Sequence, residues 1–441
     1  MTVRLGALVE RLRASLFFIP MLAVVAAIVI AAISITVDSK NPTADLPLGF
    51  TSTVDSARAL LGTVAGATIT FAGIAFSVSL LIIQQAANQY SPRVVHTLFR
   101  DPFNKRVMGL VVGTFTYCLL VLRSVRSPLD QGAEPVIPHL SVAIAVGLGI
   151  ITILAIVAFI DHSAHSMDIS TILQDVVDEA TAQVRRQWPE AGIDDDRVGE
   201  PPAPPPREAA LTIRFARSGW IQQVDLDKLS RAIPDANTMW VHAHPGHYAI
   251  AGTPLCVLAA AVDDDNDLVD EVRASVSIGN TRTMQQDVSF GLRQLADVAL
   301  KALSPGVNDP TTAQDAIFHS GALLTELLRR EPTLDGSVDD HGRVVLLNQP
   351  THEDLIRLAF DEVRQAAATM PAVCIYLLEA LALLTETLDE RATHARRALE
   401  QQAALVVAGC RAANNLPADV QDVEQAHAKR FPGSVPHEPT A

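Results

Sequence analysis

Charged residues vanish from the chain in four long intervals, all within its first 160 positions. No Asp, Glu, Lys or Arg occurs in the 24 residues between Arg13 and Asp38, the 34 between Arg58 and Arg93, the 16 between Arg106 and Arg123, or the 26 between Glu134 and Asp161. A hydrocarbon core about 30 Å thick is crossed by about 20 apolar helical residues, so three of these intervals are long enough outright. The third reaches only about 24 Å at about 1.5 Å per residue, and Arg123 and Arg126 must extend to the interface for it to span. It still reads as membrane, because VMGLVVGTFTYCLLVL shows no polar face of the kind a surface helix carries. The pattern predicts a four-helix transmembrane domain over 1–160, with spans at about 15–37, 60–85, 107–123 and 137–160. The first segment lacks a small-residue cleavage site and is longer than a signal core, so it is expected to stay in place.

Beyond residue 160 the period changes. Ile169, Ile172, Leu173, Val176 and Val177 recur every three or four residues, which predicts a helical stalk over 161–190. Asp194-Asp195-Asp196 and GEPPAPPP then mark an exposed Pro-rich linker over 191–209. Over 210–262 the alternation is two, in LTIRFA, SGWIQQVD, MWVHAH, HYAIAG and PLCVLA, between Gly and Pro turns, which predicts a small β-barrel or sandwich. Residues 263–431 return to helical spacing: Val288, Leu292, Leu295, Val298, Ala299 and Leu303 share a face, and Thr351 with Asp354 forms a capping box before Leu355. VVLLN at 344–348 reads as a lone strand, and 432–441 as a disordered tail. The expected fold class is an integral membrane α-helical domain of four transmembrane helices plus a cytosolic α+β domain, the latter a small β-barrel and a helical bundle.

Charge separates the same two halves. Residues 1–160 hold 11 Lys and Arg against 7 Asp and Glu, net +4, whereas 161–441 hold 23 against 42, net −19. The acidic half should be repelled by nucleic acid phosphates and by anionic headgroups over its general surface, so no nucleic acid partner is expected. Orientation follows from the connections. Arg4, Arg11, Arg13, Arg93, Arg100, Lys105 and Arg106 lie on one side of the spans, and Lys40, Arg58, Arg123 and Arg126 on the other. That bias places both termini in the cytosol of a plasma membrane. Cys118, Cys256, Cys374 and Cys410 show no paired spacing, as in a reduced compartment.

Three stretches together resemble the bacterial family of predicted membrane proteins catalogued as domain of unknown function 2254: TFAGIAFSVSLLIIQQAANQYSPRV, SGWIQQVD, and RTMQQDVSFGLRQLADVALKALSPGVNDPTTA. The likeness runs from residue 10 to about 413. It implies a bacterial inner-membrane protein of this layout and implies no activity. The phrase PGHYAIAGTPLCVL also looks like the paired strands of biotinyl and lipoyl carriers, but no lysine occupies its turn, which disfavours a carrier.

Two groups of residues are the candidate sites. In the second span Gly62, Gly66, Thr70, Gly73, Ser77, Gln84 and Asn88 form one small, polar stripe amid Leu, Ile, Phe and Val. Such a stripe serves either close helix packing or the lining of a water-filled path. In the C-terminal half, Ser304-Pro305-Gly306-Val307-Asn308-Asp309-Pro310 reads as a turn in which Asp309 caps the helix that begins at Pro310. The cap does not require Asn308 or the upstream Arg282, Gln286 and Asp287, which the family resemblance places in the same signature. These five either form a structural network or hold a small anion or a protein partner. His242, His244 and His247, and separately Asp161, His162, His165 and Asp168, are weaker clusters, better read as surface and interface residues than as a metal site.

Signatures of catalysis are missing: the chain has no GxSxG, P-loop, GxGxxG after a strand, HExxH or CxxC. Neither an enzyme nor a cofactor is expected, and the only assured partner is membrane lipid. The expectation is a homo-oligomer forming an ion or small-solute channel, gated or assembled by its cytosolic domain. The alternative is a non-conducting scaffold or sensor whose cytosolic domain binds a protein.

Overall fold

The computed structural model describes residues 18–40, 53–89, 102–125, 138–165, 168–188, 211–260, 265–330, 335–338, 343–347, 349–389 and 392–432. The predicted linker, and the predicted tail beyond Pro432, lie outside them. The chain divides into two compact units, Met1–Asp168 and Ile169–Ala441.

The first unit is four helices: α1 (Phe18–Lys40), α2 (Val54–Gln89), α3 (Pro102–Ser124) and α4 (His139–His165). All four are long and apolar enough to cross a membrane. Their outer surface is hydrocarbon, with Met21, Leu22, Ile33, Ile69, Phe76, Leu81, Leu154 and Val157 exposed, as suits helices solvated by lipid rather than water. The short third span sits at the centre. It packs on α1, α2 and α4, and 44% of its most apolar stretch is buried, against 17%, 22% and 28% for the other three. In its first turn Lys105 is buried among its neighbours and Arg106 is exposed.

Close packing in this unit comes from glycines that the sequence reading passed over. A methyl on Gly109 would lie 3.3 Å from the Cβ of Ala23, and one on Gly113 would lie 3.3 Å from the Ala23 carbonyl oxygen. Gly109 and Gly113 are one turn apart, a small-xxx-small pair that lets the α1 and α3 backbones approach.

Polar groups tie the same helices at one end. Both oxygens of Asp38, at the end of α1, accept from the start of α4: Leu140 N–H at 3.0 Å, Ser141 N–H at 2.9 Å and the Ser141 hydroxyl at 2.6 Å. The Tyr117 hydroxyl of α3 donates to the Ser141 carbonyl at 3.1 Å and lies 3.0 Å from the Ser34 hydroxyl of α1. Arg58 of α2 donates to the Val125 carbonyl at 3.2 Å, just past α3. Helix ends carry N–H and C=O groups with no partner in their own helix, and here neighbouring helices supply them. Deeper, Thr114 and Thr152 share a buried hydrogen bond of 3.0 Å.

The second unit begins with α5 (Ile169–Gln187), the predicted stalk. It is an integral part of this unit, burying Ile172, Leu173, Val176, Val177, Ala180 and Val184 as it packs on two later helices, Phe290–Ala302 and Pro310–Leu328. The strands and short helices follow: β1 (Leu211–Arg214), β2 (Gly219–Val224), α6 (Leu226–Ala232), β3 (Thr238–Val241), β4 (Tyr248–Ala249), β5 (Pro254–Leu258), α7 (Asp265–Ser275) and β6 (Val276–Gly279). Next come α8 (Phe290–Ala302), α9 (Pro310–Leu328), β7 (Asp335–Val338), β8 (Val344–Leu347), α10 (His352–Ala367), α11 (Pro371–Thr387), α12 (Thr393–Ala412) and α13 (Pro417–Arg430). The predicted capping box is present, with Thr351 and Asp354 bonding each other's backbone N–H.

The predicted small β-barrel is corrected. Among the described residues there are two open sheets, ordered β1-β5-β3-β8-β7 and β4-β2-β6, and no closed barrel. The reason lies in pairing partners. β2 joins β4 and β6 instead of β1, and β3 takes β8 as a parallel neighbour, Thr238 opposite Val344 through Val241 opposite Leu347. That strand comes from far outside 210–262, and its pairing leaves edges at β1 and β7 instead of closing the sheet. Both sheets, with α6 and α7, share one core of Ile213, Ile221, Leu229, Met239, Leu255, Val272, Val345 and their neighbours.

Candidate functional site

On α2 the buried face is Ala57, Leu61, Ala65, Thr68, Ala72 and Ala75, at helical spacing. The predicted stripe lies elsewhere on the helix. Gly62, Gly66, Thr70, Gly73, Ser77 and Gln84 are all exposed, and a methyl group built on any of the three glycines would meet nothing within 4 Å. The stripe is therefore unused for packing within the unit; that packing falls to Gly109 and Gly113 instead. Its hydroxyls turn back on their own helix, Thr70 donating to the Gly66 carbonyl and Ser77 to the Gly73 carbonyl, each at 2.9 Å. Such bonds satisfy a hydroxyl in lipid without a partner helix or water. The Asn88 side chain lies outside the described residues.

The cluster in the second unit resolves into two separate arrangements. Asp287 is almost fully buried and accepts from Nε and Nη2 along one edge of the Arg282 guanidinium, from the Ser289 hydroxyl at 2.7 Å and from the Ser289 N–H at 3.2 Å. Arg282 also donates to the Ser289 hydroxyl at 2.9 Å and lies over the Phe290 ring, 5.1 Å from its centroid. Gly246 presses on this carboxylate. A methyl there would lie 2.1 Å from Oδ2, and the residue holds a φ of +87° that other side chains resist. Gln286 clamps the end of β2, accepting from Val224 N–H at 2.8 Å and donating to Val224 C=O at 3.2 Å. Gln183 and Gln187 of α5 both donate to the Gln285 carbonyl. Segment 282–289 thus fastens the sheets, α5 and the start of α8 to one another.

Asn308 and Asp309 serve the join between α8 and α9. Asn308 adopts a φ of +49°, the left-handed conformation that closes a helix end, where only Gly and Asn fit easily. Its N–H bonds the Ser304 carbonyl at 2.9 Å, and the Asp309 N–H bonds that of Ala302 at 2.9 Å. Asp309 then caps α9, accepting from Thr312 N–H at 3.1 Å and the Thr312 hydroxyl at 2.7 Å. The Thr312 hydroxyl, helped by the backbone, holds its carboxyl below the usual carboxylate range. So the turn itself favours Asn at 308. Among the described residues no hydrogen bond or ion pair joins 308 and 309 to 282, 286 and 287.

Of the weaker clusters, the side chain of His165 lies outside the described residues. His242 is exposed, while the rings of His244 and His247 meet edge to face at 5.2 Å. His162 packs on Phe103 at 4.6 Å. No group of three or more His, Cys, Asp or Glu side chains able to hold a metal occurs among the described residues. All four cysteines are buried thiols, and burial pushes Cys256 and Cys374 up to about 12, far from a reactive thiolate. What the sequence reading missed is the Asp38, Ser34, Tyr117 and Ser141 network, whose members lie up to about a hundred residues apart; a carboxylate ending one span is the only local signal.

The family described as predicted membrane protein (DUF2254) matches residues 13–383. An uncharacterized protein of Mycobacterium bovis and one of Mycobacterium tuberculosis are each 31% identical over 425 residues, covering 95% of this chain and 80% of the relative. No solved structure matches the chain.

Proposed function

We propose, from the premise that the chain belongs to the DUF2254 family of predicted membrane proteins, that copies of it assemble in the bilayer through the outward face of α2. The joined faces would surround a passive path for small ions or solutes. The observation that carries this reading is the stripe Gly62, Gly66, Thr70, Gly73 and Ser77, small and polar, yet left open by the rest of its own unit. Small residues let helix backbones approach, and the α2 stripes of several copies would meet around a symmetry axis. No titratable residue stands on the stripe, which favours passive conduction over proton coupling. In this reading the termini and the C-terminal unit are in the cytosol, the unit gates or organises the assembly, and no catalysis is involved.

One observation favours a second reading. Thr70 and Ser77 already bond their own helix, so the face needs no water, and copies meeting there as a dry contact would make a non-conducting scaffold or sensor. Reconstitution into liposomes separates the two. Ion flux and oligomer size are measured for the natural chain, Ser77→Leu and Gly73→Phe. Flux that is lost in a variant of unchanged oligomer size supports conduction. Absence of flux for several cations and anions, with both variants dissociating, supports the scaffold; overpacking of about 1–3 kcal/mol would drive that dissociation.

A further inference from the structure

The second half of the chain is strongly acidic, yet one end of its smaller sheet is not. Segments 211–224, 238–260 and 276–286 contain no Asp or Glu, while holding Arg214, Arg217, Arg282 and three histidines. The fold gathers these segments. Trp220 of β2 stands opposite Tyr248 of β4 and Gly279 of β6. Phe215 exchanges backbone hydrogen bonds with the turn at 252–253, at 3.0 and 2.9 Å. Arg214 donates to the Gly252 carbonyl at 2.9 Å, Arg217 to that of Ile278 at 2.7 Å, and Arg273 to that of Arg214 at 3.2 Å. All three arginines are exposed, and among the described residues none is ion-paired with a carboxylate. Asp225 caps α6 and Asp287 is held by Arg282, whereas Asp267, Asp270 and Glu271 share α7 with Arg273, so Arg214 and Arg217 are the more strongly basic part of the rim.

On β4 and the turn that follows it, which Arg214 bonds at Gly252, stand two apolar side chains that the fold does not cover, Tyr248 at 55% exposure and Ile250 at 58%. Tyr248 rests edge-on against Trp220, ring centroids 5.4 Å apart. Ile250 opens a tight turn, with Thr253 N–H bonded to its carbonyl at 3.1 Å and Ala251 N–H bonded to the Ser218 hydroxyl at 2.9 Å. The turn presents a held apolar tip flanked by arginines.

We propose that this end of the C-terminal unit binds an anionic lipid surface: Tyr248 and Ile250 enter the headgroup region, and Arg214, Arg217 and Arg273 meet lipid phosphates. Charge complementarity selects the partner, since this surface attracts anions within a unit that otherwise repels them. The chemistry of the tip selects lipid over protein. A Tyr ring and an aliphatic wedge suit the boundary between water and hydrocarbon, and two side chains are far too little area for a stable protein contact. The chain's own membrane spans keep lipid at high effective concentration, so a weak site suffices.

The full-length protein in nanodiscs tests this. Ile250→Cys carries an environment-sensitive dye, and Leu416→Cys, also highly exposed, is the control; the four natural cysteines are buried. In discs containing phosphatidylglycerol the dye at 250 should shift to the blue and be quenched by brominated lipid, while the dye at 416 should not. Docking should weaken with salt and fall about fivefold for each of Arg214→Gln, Arg217→Gln and Arg273→Gln. Inorganic phosphate in solution should leave the dye unshifted. The salt series uses the natural arginines and so stands even where a variant folds poorly. No shift at 250, or a shift equal in pure phosphatidylcholine and indifferent to salt, overturns the proposal.

Discussion

Replacing Asp287 with alanine tests whether segment 282–289 is a structural fastening. Asp287 is 3% exposed and Arg282 17%, so truncation leaves a guanidinium facing a hole from which water is mostly excluded. Breaking a buried pair costs about 3–5 kcal/mol, and the residual exposure of Arg282 places this case at about 3 kcal/mol. In a domain of this size about 2–4 °C accompanies each kcal/mol, so unfolding should shift by about 6–12 °C. The assay is thermal unfolding of the detergent-solubilised chain, with hydrogen exchange following β2 and segment 282–289. Exchange should rise in both places, because Gln286 anchors Val224. Removing both charges together, as Arg282→Met with Asp287→Leu, should cost less than the sum of the single changes, since neither charge is then left alone. Gly246→Ala should reproduce the loss from the other side, through a methyl 2.1 Å from the carboxylate. An Asp287→Ala protein within about 0.5 kcal/mol of the natural one would refute the reasoning and point to a site held for another purpose.

Two further perturbations probe the other arrangements. Asp309→Ala should cost about 0.5–2 kcal/mol as a lost helix cap, while Asp309→Ser should be tolerated. The folded carboxyl titrates below its unfolded value, so its contribution is complete above the unfolded pKa and is lost as pH falls through the folded one; acid titration of unfolding should lose that slope in Asp309→Ser. Asp38→Ala strips three hydrogen bonds from the start of α4; a loss of about 1–2 kcal/mol is expected, read as lower thermal stability in detergent, with Asp38→Asn intermediate.

Legibility in the sequence followed the range of the interactions. The spans were plain because twenty apolar residues in a row have few other uses, and the Thr351 capping box because its partners are three residues apart. The barrel failed because alternation identifies strands but not neighbours: nothing local in VVLL says that it lies beside TMWV, a hundred residues earlier. Asn308 looked superfluous because a left-handed φ is a property of the backbone, visible only once α8 and α9 are seen to turn there. The small-residue stripe of α2 was conspicuous and outward, whereas the pair that packs helices, Gly109 and Gly113, was hidden in the shortest span. Small residues mark close approach, but the sequence does not say to which helix.

The central claim is that α2 is where copies meet, and disulfide trapping in native membranes tests it most directly. Gly73→Cys and Ser77→Cys stand on the open face, and Leu119→Cys stands on an exposed position of α3 as the control. Mild oxidation should convert the two α2 variants to covalent dimers on gels, and leave the Leu119→Cys protein monomeric. Monomers throughout, or dimers formed equally from position 119, would contradict the account.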